Sequence, residues 1–111
     1  MKCIAVPVNL EAMNRLDYDQ CQEEDLVEVI FEEHDYNELW DSGIIEILNN
    51  QLGKNIDDYE DENITDLDEL RQCRVIIGER INIVPSSIIL EKLYSQVNLA
   101  IDYKIGVFFY F

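Results

Sequence analysis

Residues 104–111, KIGVFFYF, constrain the fold more than any other stretch. An unbroken aromatic and β-branched run of this kind reads as a β-strand, and left unpaired it would be a sticky edge, so it has to pair inside a sheet. Residues 2–10, KCIAVPVNL, carry β-branched side chains and apolar residues on both faces, and they are the natural neighbour. Pro7 has no amide hydrogen, which sets the outer end of that strand at an edge or beyond the pairing. The intervening sequence is amphipathic with helical spacing. The expectation is one domain over residues 1–111, α/β or α+β, with amphipathic helices packed on a small sheet that contains the N- and C-terminal strands. A chain of this length can bury roughly two-thirds of the surface its unfolded form exposes.

Helix signals are uneven. EEDLVEVIFEEH (23–34) spaces Leu26, Val29 and Ile30 among acids and predicts a helix, although Val27-Glu28-Val29 also fits a strand alternation. DYNELWDSGIIEILNNQLG (35–53) predicts the best helix. Asp35 and Glu38 form a capping-box start, Tyr36, Trp40, Ile44, Ile47 and Leu48 share a stripe, and Gly53 suits the C′ position. Gly43 inside that helix costs up to about 1 kcal/mol relative to alanine, which points to a packing or contact role. Thr65 can cap a helix from Asp66 to about Arg74, with Leu67, Leu70 and Cys73 or Arg74 inward. Residues 74–84 read either as strands around a glycine turn or as a continuation of that helix. Pro85-Ser86-Ser87 opens a last helix whose apolar side is Ile88, Ile89, Leu93, Val97 and Ala100.

Charge is the second constraint. IDDYEDENITDLDEL (56–70) holds eight carboxylates and no base, and the whole chain carries 24 acids against 8 bases, a net −16. Residues 1–70 contain 21 acids and 3 bases, whereas residues 71–111 contain 3 acids and 5 bases. Such a field excludes direct binding to nucleic-acid phosphates or to an anionic membrane and steers in a basic partner. With 48% hydrophobic residues the charge sits on a folded body rather than a disordered tail. Cys3, Cys21 and Cys73 show no CxxC spacing and His34 is the single histidine, which argues against a disulfide framework or a zinc site. MKCIAVPVNLEAM lacks a small-residue cleavage site and a span-length apolar run, so no export signal or membrane anchor is read and a cytoplasmic location is expected.

From Asp58 onward, acids at the first, third, fifth, ninth and twelfth positions imitate a calcium loop. The likeness fails at Asn63, where glycine is required, and at the overlong Glu60 and Glu62. No nucleophile elbow, oxyanion motif or second histidine accompanies His34, Cys21 or the Glu38 and Asp41 pair. The reading is therefore noncatalytic, without cofactor or metal.

Tyrosines sit among the acids in LDYDQ (16–20), HDYNELWD (34–41) and DDYEDE (57–62), where a ring can lie on a partner between carboxylates. NELWDSG (37–43) resembles the Leu-Trp-Asp of the inhibitory helix of the barstar family, intracellular inhibitors of a secreted ribonuclease. The likeness covers Leu39, Trp40 and Asp41, with Glu38 and Asp35 as additions, and size and acidity resemble more broadly the immunity proteins of bacterial toxin–immunity pairs, including contact-dependent growth inhibition systems. The resemblance implies a basic nuclease toxin domain as partner. Asp35, Glu38 and Asp41 would face its catalytic or phosphate-binding bases, Asp57, Asp58, Glu60, Asp61 and Glu62 would steer encounter, and Tyr36 and Tyr59 would anchor. The competing expectation is a nucleic-acid mimic that blocks a DNA-binding host-defence protein, for which acids should form a regular double row.

Overall fold

The computed structural model describes residues 2–111. Strand β1 (Lys2–Pro7) and strand β4 (Val107–Tyr110) lie side by side at the centre of an antiparallel sheet of order β2-β1-β4-β3, as the apolar character of both segments requires. Strand β2 (Leu26–Phe31) and strand β3 (Glu62–Ile64) form the edges. Pro7 is the last residue of β1, opposite Leu26 and beyond the pairing with β4, so its missing amide breaks no ladder.

Among the described residues five helices complete an α+β domain: α1 (Leu10–Asp17), α2 (Glu33–Asp41), α3 (Ile44–Leu52), α4 (Leu67–Ile83) and α5 (Ile88–Tyr103). Ile4, Val6, Phe31, Val107 and Phe109 on one face of the sheet meet Leu39, Ile44, Leu48, Ile77, Leu93 and Val97 from the helices in a single core. Buried Gln96 fastens α5 to the sheet, its amide donating to Ile4 O (3.1 Å) and Val27 O (2.9 Å). None of the helices is long and apolar enough to cross a membrane, among the described residues.

Several local expectations need correction. Residues 23–34 do not form a helix: Leu26–Phe31 is a strand, because Val29 and Phe31 join the core beside β1, with Val27 opposite Val6 on the same face, while Glu28 and Ile30 point outward. The helix expected over 35–53 is two. Gly43 adopts φ +80°, a conformation that side-chain-bearing residues avoid, and the Ser42 hydroxyl donates to Leu39 O at 2.6 Å. Arg80 then donates to Ser42 O at 2.5 Å, and its guanidinium sits 3.0 Å from where a Cβ on Gly43 would stand. The positive φ is what requires glycine here, and the guanidinium occupies the space its missing side chain leaves. The capping box joins Glu32 to Asp35, not Asp35 to Glu38.

Residues 74–84 continue α4, since Leu70, Cys73 and Ile77 keep helical spacing into the core. Its N-cap is Asp66, which accepts from Glu69 N, rather than Thr65. In α5 Ser87 is the cap, while Ile88 is exposed and not part of the apolar side. Helix α1 carried no sequence reading. It is capped by Asn9 and tied down where Arg15 grips Asp25 with two bonds of 2.7 and 2.6 Å. That grip and the Gln22 amide hold the Asp25 carboxyl down at about 2.

Candidate protein-binding surface

The acidic run is pinned at both ends. Ile56 and Ile64 are buried, and the Asn49 side chain clamps Ile56 by accepting from its N–H (2.8 Å) and donating to its carbonyl (3.1 Å). Residues 57–61 therefore have to leave the core and return within one short excursion. The stretch is not all loop, because Glu62–Ile64 adds β3 to β4. Gly106 lets the chain pass closely there: a Cβ on it would stand 2.8 Å from the Thr65 methyl carbon and 2.9 Å from Ile64 O.

The acids of this excursion partly build it. Asp57 accepts from the main-chain N–H groups of Tyr59 (2.9 Å) and Glu60 (3.2 Å), closing a turn on its own side chain. Glu62 accepts from Asn55 N at 3.0 Å. Asp58 accepts from the hydroxyl of Tyr36 and lies 3.6 Å from Lys2 Nζ, which itself stands 4.5 Å over the Tyr36 ring. These contacts, between residues 22 positions apart at Tyr36 and Asp58, bring the 57–61 segment and α2 onto one surface.

Tyr36 is the joint. It is buried, edge-on to Trp40 and Phe111, and burial followed by the Asp58 bond pushes its hydroxyl up to about 12. The Trp40 indole N–H offsets part of that rise but falls short of a formed hydrogen bond, leaving it sealed from solvent without an acceptor. Tyr36 is thus an internal strut and not the exposed anchor expected from the sequence. Beside it lies an open depression of about 420 Å³ lined by Tyr36, Asn37, Trp40, Asp41 and Asp58. A second depression, of about 520 Å³, continues past Lys2, Phe31 and Glu33.

The remaining expected site residues divide. Asp35 belongs to the cap of its own helix, accepting from Glu32 N at 3.0 Å. Glu38 reaches across to α5, accepting from the Ser87 hydroxyl and from Ile89 N, both at 3.3 Å. Asp41 and Glu60 are exposed, and Tyr59, at 93% exposure, is the most open large hydrophobic side chain among the described residues. Asp61 turns toward the far face of the sheet, where after burial it is among the charges that raise Tyr110 to about 12 and Cys3 to about 11.

Lys2, Glu33 and Asn37 escape the sequence reading, in which Trp40 stands both on the apolar stripe and in the Leu-Trp-Asp likeness. Nothing local marks them; what gathers them is the Tyr36–Asp58 contact. No group of three or more His, Cys, Asp or Glu side chains among the described residues is disposed to hold a metal ion. No family model matches the chain, and no curated protein or solved structure matches it either.

Proposed function

We propose that this protein is a noncatalytic inhibitor of the immunity type, which binds a basic nuclease toxin domain and covers its substrate groove with an acidic surface. The observation that carries the reading is the junction of α2 with the 57–61 segment. Two acid-rich stretches meet at Tyr36 and Asp58 around an open, aromatic-floored depression edged by Asp41 and Asp58. Asp41 and Asp58 are placed to receive Lys or Arg side chains of the partner, and exposed Tyr59 can lie against its surface. Exposed Glu60 and Asp61 steer encounter and add little to affinity.

The reading also fits the compactness of the patch. A duplex mimic needs acids in a regular double row, whereas here Asp35, Glu38, Asp57 and Glu62 are held in caps and turns. The test is to purify the tagged chain from its native cell at low and at high salt. A stoichiometric basic protein with a nuclease or toxin domain that survives the high-salt wash supports the proposal. A DNA-binding host-defence protein released by competing duplex DNA favours mimicry, and an empty eluate at both salts overturns the proposal.

A further inference from the structure

The two edges of the sheet are not alike. β3 offers three residues, while β2 offers six in an unbroken register from Lys2↔Phe31 to Pro7↔Leu26. Exposed edges are ordinarily blunted by brevity, proline, charged side chains or a bulge, and β2 is full-length, without proline or bulge, its one charge being the carboxylate of Glu28.

Which groups it exposes follows from the register. Val8 N donates to Asp25 O at 2.9 Å, so even-numbered residues of β1 exchange hydrogen bonds with odd-numbered residues of β2, Val6 with Val27 and Ile4 with Val29. The main-chain N–H and C=O groups of Leu26, Glu28 and Ile30 therefore point out of the sheet, and no turn, loop or cap among the described residues bonds to them. Ile30 is 56% exposed beside Glu28.

The charge around this edge has one sign. Glu23, Glu24, Glu28, Glu32 and Glu33 are all exposed, and no lysine or arginine occurs between Arg15 and Lys54. A second copy of the chain is a poor occupant: twofold pairing centred on Glu28 would set Glu28 against Glu28, Glu24 against Glu32 and Glu23 against Glu33. A strand bearing Lys or Arg would meet Glu28 directly and pass close to the glutamates that flank β2 at both ends. The C-terminal end of β2 also runs into the candidate surface, where Phe31 and Glu33 line the same depression as Tyr36 and Asp58.

We propose that β2 is a docking edge for an extended basic strand of a protein partner, which adds to the sheet antiparallel or parallel beside Leu26–Phe31. This deepens the proposed function, resting on its basic partner, by naming how that partner is held: main-chain bonds to Glu28 and Ile30 supply affinity, and the glutamates select for basic side chains.

The test uses a synthetic peptide of alternating lysine and valine as probe, titrated into the whole chain while amide exchange is followed residue by residue. Binding that slows exchange at the Glu28 and Ile30 amides supports the proposal. Glu28→Pro removes an outward N–H that no native bond uses, and loss of that bond should weaken binding about tenfold with the circular dichroism unchanged. Glu28→Gln keeps the N–H and should lose only about two- to threefold. The exchange map of the wild-type chain decides the matter even if Glu28→Pro folds poorly. Binding that leaves the β2 amides unprotected and is lost instead with Asp41→Asn and Asp58→Asn overturns strand docking while the acid-surface reading stands. Absence of binding, or protection of the same amides by self-association without peptide, overturns the proposal as well.

Discussion

Helix α2 and the 57–61 segment are both rich in acids, yet the fold treats them differently. In α2 the carboxylates of Asp35 and Glu38 satisfy helix-end amides, one on its own helix and one on α5. In 57–61 Asp57 accepts from amides of its own turn and Asp58 only from the Tyr36 hydroxyl, while Glu60 is exposed and Asp61 only adds charge near Tyr110 and Cys3. Acids with amide partners contribute to the stability of the fold, and acids without them oppose it by mutual repulsion. Carboxylates left in the second condition are the ones that the proposed basic partner would neutralise.

The strongest way to break this contrast is to remove the strut between the two regions. Tyr36→Ala should destabilise the protein by about 3–5 kcal/mol, as deletion of a buried aromatic does, and should also free the 57–61 segment. Chemical denaturation together with amide exchange in residues 57–61 checks both parts, and a loss under about 1 kcal/mol would mean that the segment holds itself. Next in size is the cap on α5: Glu38→Ala leaves Ile89 N without its acceptor and should lose about 1 kcal/mol. If Glu38→Ala proved neutral, the Glu38 carboxylate would be as free of structural duty as those of residues 60 and 61.

Acid titration sharpens the same division. With its carboxyl held at about 2 in the fold, Asp25 binds a proton more readily when unfolded. Its stabilising share is therefore complete above the ordinary carboxylate value of 3.8 and is lost as pH falls from there through about 2. Arg15→Ala should flatten the fall in melting temperature across that window, and an unchanged slope would assign the acid sensitivity to other carboxylates. The smallest effect is expected from Glu60→Gln with Asp61→Asn. Stability should stay within about 0.5 kcal/mol of the parent, on the side of a gain, because repulsion is relieved. With a basic partner in hand, association of this variant should be slower and less sensitive to salt.

Much of the fold was legible. The apolar run at 107–110 and the β-branched run at 2–7 had no exit but a sheet interior, and they are its two central strands. The Gly53 stop and the helix opened by Pro85-Ser86-Ser87 were legible because caps are local chemistry. Where 23–34 and 35–53 misled, two local patterns were compatible with the residues and a distant group chose between them. For the first it was the open flank of β1, and for the second Arg80 at Ser42 and Gly43.

The candidate surface divides along the same line. The sequence by itself determined that the chain is strongly acidic, that nearly all the charge lies in residues 1–70, and that the acids are interleaved with tyrosines, since composition and order need no folding. Only the tertiary structure decided which acids are available. Whether a carboxylate caps a helix, closes a turn or faces water depends on which N–H groups distant segments bring within reach, as Ser87 and Ile89 are brought to Glu38 and Tyr36 to Asp58. Hydrogen bonds are short-ranged and directional, so that sorting arises from contacts far apart in the sequence and no local pattern records it.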